Sequence, residues 1–201
     1  MVQQLAVKTA EKMSKYGVIE EKSCHICAYG LELFFSSLAG VVVLIFLSAV
    51  QGNPHLWIPY LAGFVPLRLS GGGYHAKTHF RCIFTFSLLY LLVLTIGHSF
   101  PIPAAVWPVL GLINLAIIFL FAPVEASNKP LKVSQNTANR RISLFLGVIN
   151  LFGCIASLFL RSVHSQWANM YFSGSSIAGL SMLLAVINSK VGRRRLHEKV
   201  G

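Results

Sequence analysis

The sequence predicts an all-α fold. It reads as a polytopic membrane protein of about six transmembrane helices, with an N-terminal amphipathic helix and both termini cytoplasmic. Three observations predict this. The 201 residues are 55% hydrophobic and only 11% charged, against about 25% charged in a soluble domain. The mean hydropathy is +0.66, and the apolar residues come in long uncharged runs. The formal net charge is +11, and it is distributed as the positive-inside rule requires.

The elements follow in order. Residues 1–22 carry Lys8, Lys12, Lys15 and Lys22 on one side of a helical projection, with Leu5, Ala6, Met13 and Tyr16 roughly opposite. That pattern suits a helix lying on the inner leaflet; a frayed cytosolic tail is the bland alternative. The segment lacks an apolar run, so no cleavable signal peptide is expected. Leu33–Val50 is uncharged and long enough to cross. Gln51 to Pro54 reads as a turn. Leu56–Leu67 is apolar but short and holds Pro59 and Pro66; it covers about 18–20 Å of a roughly 30 Å core. Cys82–Phe100, Ala104–Val124, Ile142–Leu160 and Ala168–Asn188 are the remaining spans. A polar loop, 125–141, and a short turn, Arg161–Trp167, separate the last three. Residues 33–188 are expected to form one membrane-embedded bundle, followed by a basic cytoplasmic tail, 189–201.

Charge fixes the topology. With six spans and both termini inside, four lysines precede the first span. Arg68, Lys77 and Arg81 fall in the first inner loop, and Lys129, Lys132, Arg140 and Arg141 in the second. Five more basic residues lie in the tail, which leaves Arg161 alone outside. If the short segment failed to cross, the 125–141 loop would face outward and break the rule. The short segment is therefore read as a real span. The same charge draws the chain to anionic lipid. Nucleic acid is excluded as a partner, because the basic residues sit at membrane edges without interleaved aromatics.

The six acidic residues are all Glu, so Ser-His-Asp triads and two-Asp mechanisms are excluded. Cysteines 24, 27, 82 and 154 make no disulfide framework, and free thiols are expected. No metal or other cofactor is expected either. Cys24-His25-Ile26-Cys27 is a lone C-x-x-C without the second pair that zinc needs. Cys154 reads as packing, as do Gly174 and Gly179. Asn114 and Asn150 read as helix–helix hydrogen-bond partners. His98 and His164 lie at outer edges and need no role.

One constellation carries chemistry. Arg68, His75 and Cys82 are spaced seven and seven, within Arg68-Leu-Ser-Gly-Gly-Gly-Tyr74-His75-Ala-Lys77-Thr-His79-Phe-Arg81-Cys82. Cys is the most nucleophilic ordinary side chain once ionised, and an imidazole can take its proton. Arg68, Lys77 and Arg81 favour the thiolate. Gly71-Gly72-Gly73 permits φ > 0 and a close approach to another chain, or exposes N–H groups to an oxyanion. On one straight helix His75 and Cys82 would lie ~10.5 Å apart along the axis, beyond hydrogen-bond reach. Either the glycine stretch folds back or the helix starts after His75. His79, three residues before Cys82, is the rival base, and the residues alone leave the two histidines level. A packing cysteine beside interfacial histidines is the plain alternative.

The string Arg68…Gly72-Gly73-Tyr74-His75-Ala76…Cys82 resembles the signature of the accessory gene regulator B family, membrane cysteine endopeptidases of Gram-positive quorum-sensing systems. Chain length, multi-span hydropathy and the basic N-terminal segment are similar too, as is the later patch Ala122-Pro123-Val124…Asn128-Lys129-Pro130-Leu131. The resemblance implies Cys82 as nucleophile, His75 as its base and Arg68 as an essential basic residue. Gly72, Gly73, Tyr74, Lys77, His79, Lys129 and Lys132 are the expected supporting or substrate-binding residues. No orienting carboxylate is evident; Glu125 is the acidic residue of the second inner loop. The implied substrate is a precursor peptide with an amphipathic leader and an acidic C-terminal tail. It is cut through a thioester and closed into a thiolactone or lactone. A homodimer is compatible with this reading. The rivals are a small transporter or peptide exporter, and a membrane adaptor for which Cys82 is dispensable.

Overall fold

The computed structural model describes residues 2–73, 79–99, 102–103, 105–124, 133–159 and 166–200; within these, the side chains of 2, 79–80, 98–99, 133–134 and 189–200 are outside the description. Seven α-helices are described: α1 (Val2–Lys15), α2 (Cys24–Val50), α3 (Trp57–Gly71), α4 (His79–Ser99), α5 (Val106–Phe121), α6 (Val133–Phe159) and α7 (Gln166–Val200). A 3₁₀ turn, Glu21–Ser23, precedes α2. Each of the six expected apolar segments contains a described helix or most of one. Residues 21–50, 135–159 and 166–188 are long and apolar enough to cross a membrane, and residues 81–97 and 106–121 are shorter apolar helices.

The chain divides into two compact units: Met1–Pro54 with Ala76–Tyr90, and His55–His75 with Leu91–Gly201. In the first unit α1 packs along α2. Its buried face is small: Ala6 and Ala10 are fully buried, while Leu5 and Tyr16 are exposed. So α1 is shorter than the expected 1–22. It stops where Gly17 takes φ +69°, with Val18 N–H bonded to Met13 O and Gly17 N–H to Ser14 O, both at 2.9 Å. That pairing is a Schellman stop, which an αL glycine allows. α2 buries Ser36, Gly40, Leu44 and Ser48, one residue per turn. The buried Ser48 hydroxyl hydrogen-bonds the buried Tyr90 hydroxyl and ties α2 to the middle of α4.

In the second unit α3 and α7 meet backbone to backbone. A Cβ on Gly63 would overlap Tyr171 O and lie 3.0 Å from Ser175 N. One on Gly174 would overlap Tyr60 O and lie 3.2 Å from Phe64 N. Such contacts are how membrane helices associate without a hydrophobic drive. Gly174 therefore packs as expected. Asn114 Nδ2 donates to Ser175 O at 3.0 Å, and Ser175 Oγ donates to Asn150 Oδ1 at 3.1 Å. This ladder joins α5, α6 and α7 through the two asparagines that the sequence marks. Gly179 lies against Asn114 Oδ1, and Cys154 Sγ would be 3.1 Å from a Cβ on Gly111. Leu67, Ile118, Ala122, Ala178 and Met182 form one buried cluster.

Other boundaries differ from expectation as well; α2, for one, begins at Cys24 rather than Leu33. α3 runs past Leu67 to Gly71, so Arg68 is helical rather than in a loop. α6 starts at Val133, which puts Arg140 and Arg141 on a helix. α7 continues to Val200, so the basic tail is helical. The reason is shared: a helix ends where its backbone hydrogen bonds are capped, not where its side chains stop being apolar.

Candidate active site

α3 is short and carries Pro66 within it. Proline removes one ladder hydrogen bond, and Ser70 Oγ donates back to Pro66 O at 2.9 Å. The helix then stops at the glycine triplet. Gly72 takes φ +75° and ψ −153°, and its N–H bonds Arg68 O at 3.2 Å. That N–H closes the helix, so the expected oxyanion role does not fall to Gly72.

Each glycine of the triplet lies against a different part of the unit. A Cβ on Gly71 would overlap the Met182 methyl group of α7 and lie 3.5 Å from Ser143 Oγ of α6. One on Gly72 would overlap the Val124 carbonyl oxygen. One on Gly73, at φ +140°, would overlap Arg68 Nη1 and lie 2.6 Å from Ser181 Oγ. The close approach expected of the triplet is thus an approach to the chain's own elements. Val124 N–H donates to Gly71 O at 2.9 Å, and Gly72 and Val124 form an isolated parallel β-bridge. The bridge joins the glycine segment to Ala122-Pro123-Val124, the start of the second patch; the Ala122–Pro123 peptide is cis.

Arg68 is half-buried in the last turn of α3, where cationic charge suits the helix dipole. Its Nη1 donates to Ser181 Oγ at 3.3 Å, and Ser181 Oγ donates to Ala178 O at 2.7 Å. Ser181 and Met182 escaped the sequence reading. One signal was there: an arginine at a membrane edge needs acceptors on a neighbouring helix, and α7 is rich in hydroxyls at 173, 175, 176 and 181.

Cys82 lies in the first unit, on the opening turn of α4, half-buried beside exposed Arg81. It is a free thiol, as are Cys24, Cys27 and Cys154. α4 is described from His79, and the residues that set the path from His75 to Cys82 lie outside the described residues. Tyr74, His75 and Lys77 lie outside the described residues, as do Glu125, Lys129 and Lys132. The His79 backbone opens α4, but its side chain is outside the description. Among the described residues no group of three or more His, Cys, Asp or Glu could hold a metal.

Apolar helices, three of them long enough to cross a membrane among the described residues, mark a helical membrane protein. The family model described as Accessory gene regulator B matches residues 6–187, and the chain belongs to that family. An AgrB-like protein of Clostridium beijerinckii is 28% identical over 145 residues, covering 69% of this chain and 67% of its own. No solved structure matches. Membership associates the protein with autoinducer-peptide processing and quorum sensing at a membrane.

Proposed function

We propose that the protein is a membrane cysteine endopeptidase that cuts a precursor signal peptide and cyclises it. The observation that carries this reading is Cys82, a half-buried thiol on the opening turn of α4, inside a chain matched to the family over 6–187. His75 takes the thiol proton, and Cys82 Sγ attacks one peptide carbonyl. The imidazolium returns the proton to the departing amine, which leaves with the acidic C-terminal fragment. The N-terminal part stays as a thioester on Cys82. A thiol or hydroxyl within the peptide then attacks that thioester and expels the Cys82 thiolate. The ring closes as a thiolactone or lactone. Holding both groups on one chain raises their effective concentration, and a recessed site keeps water from the thioester.

The six-span topology belongs to the same proposal. It keeps Cys82 and His75 on the cytoplasmic side, with sixteen of the seventeen basic residues. Lys77, Lys129 and Lys132 would hold the acidic tail there, and the peptide's amphipathic leader would lie on the same leaflet.

The test is mass spectrometry of a candidate precursor co-expressed with wild type, Cys82→Ala and His75→Ala. Wild type is expected to release the C-terminal fragment and a product one water lighter than the linear acid. Both variants are expected to insert normally and to release neither. Normal processing by Cys82→Ala would overturn the nucleophile assignment.

A further inference from the structure

We infer that Cys24 and Cys27 are a reversible dithiol–disulfide site, and that its oxidation pins the first turn of α2. Cys24 opens α2, and Cys27 follows three residues later. Both are half-buried free thiols, while His25 and Ile26 between them are exposed. Cys24 also lines a groove of about 420 Å³ with Glu11, Ser14 and Lys15 of α1 and with Glu21. A small reagent therefore reaches its sulfur from that side. The pair supplies only two of the four ligands that a structural zinc takes, so it suits thiol–disulfide exchange better than metal binding.

Residues three apart on an α-helix have Cα atoms about 5 Å apart, inside the range of about 4.4–6.8 Å that a disulfide spans. Their Cβ atoms lie about 5–6 Å apart and must close to about 3.5–4.5 Å. The first turn of α2 can give that ångström. Its N-cap, Ser23, makes no side-chain cap bond, and Cys24 N–H bonds Glu21 O instead. A turn without a side-chain cap opens readily. The chemistry balances with a low-molecular-weight disulfide as oxidant. The Cys24 thiolate attacks one of its sulfurs and expels a first thiolate, which takes up the proton that Cys24 lost. The Cys27 thiolate then attacks Cys24 Sγ, breaks the mixed bond and expels the second thiolate. The protein loses two hydrogens with their electrons, and the reagent becomes two thiols. Neither Cys82 nor Cys154 has another cysteine within three residues, so neither can close a ring of this size.

The test treats the full-length protein in nanodiscs with glutathione disulfide and reads the peptide spanning Cys24 and Cys27 by tandem mass spectrometry. Wild type is expected to lose two hydrogens within that peptide and to regain them in dithiothreitol. Cys27→Ser is expected to stop as a mixed disulfide on Cys24, and Cys24→Ser as one on Cys27. Hydrogen exchange across residues 24–28 of oxidised wild type is expected to slow at least about threefold, since the bond removes open states of an uncapped turn. The double variant Cys24→Ser/Cys27→Ser is expected to show no such change under the same treatment. Wild type that holds glutathione on either sulfur without closing, keeps both thiols free, or bonds one of them to Cys82 would overturn the inference. Closure with unchanged exchange would overturn it as well. No precursor peptide enters the measurement, so its outcome is separate from that of the peptidase reading.

Discussion

Gly72→Ala separates the geometry of the site from the stability of the bundle. Gly72 holds φ +75° and ψ −153°, a region that is nearly glycine's alone, and alanine there is strained by about 1–3 kcal/mol. Its Cβ would also overlap Val124 O and lie 3.2 Å from the carbonyl carbon, an overpacking penalty of about 1–3 kcal/mol. Keeping the native path therefore costs about 2–6 kcal/mol. Releasing Val124 costs less. The bridge rests on the Val124 N–H bond to Gly71 O at 2.9 Å, and such a bond contributes about 0.5–1.5 kcal/mol. The smaller loss wins, so residue 72 leaves Val124 while the bundle stays folded. The expected fall in stability is about 1 kcal/mol, or about 3 °C in Tm for a chain of this size. Processing is expected to fall at least about tenfold, because the segment leading to His75 loses its fixed start. Intrinsic tryptophan fluorescence on heating reads the first, and mass spectrometry of the precursor reads the second. Wild-type processing, or a Tm loss above ~10 °C, would refute the reasoning.

Gly174→Ala has no such release, because its Cβ would meet the backbone at Tyr60 O and Phe64 N. α3 and α7 must part, and thermal unfolding should show a loss of about 3–9 °C, larger than that of Gly72→Ala. Cys24→Ser with Cys27→Ser changes two half-buried free thiols, and processing is expected to stay within about twofold of wild type; a larger loss would give that pair a role. Single-cysteine reporters at Lys129 and Arg161 test the topology. An impermeant thiol reagent added outside intact cells should label position 161 and spare 129; the reverse pattern would invert the proposed orientation.

Much of the helical layout was legible because apolarity over a span is additive along the sequence. Leu33–Val50 to Ala168–Asn188 each hold a helix. The ends were not legible. Arg68, Arg140 and Arg141 read as loop residues because they are charged, yet an α-helix keeps its backbone bonds whatever side chain it carries, and all three are helical. The site divides in the same way. Positive φ in the glycine triplet was readable from composition, and Gly72 and Gly73 adopt it. Their neighbours were not, because Val124, Ser181 and Met182 are brought to them by tertiary packing. Asn114 and Asn150 were readable as glue because an amide inside a span must find a partner.

The shortness of α3 has a consequence for the surrounding lipid. Its fifteen residues rise about 22 Å, against a hydrocarbon thickness of roughly 30 Å. On the six-span reading the mismatch is about 8 Å, and each ångström of mismatch carries a fraction of a kcal/mol. The bilayer beside α3 is then drawn thin, and the Arg68–Gly73 end sits beneath the plane that neighbouring headgroups define. Acyl-chain length becomes a setting of the enzyme. Shorter-chain lipids relieve the deformation around α3, and longer chains deepen it and press on the one helix end that leads directly to His75.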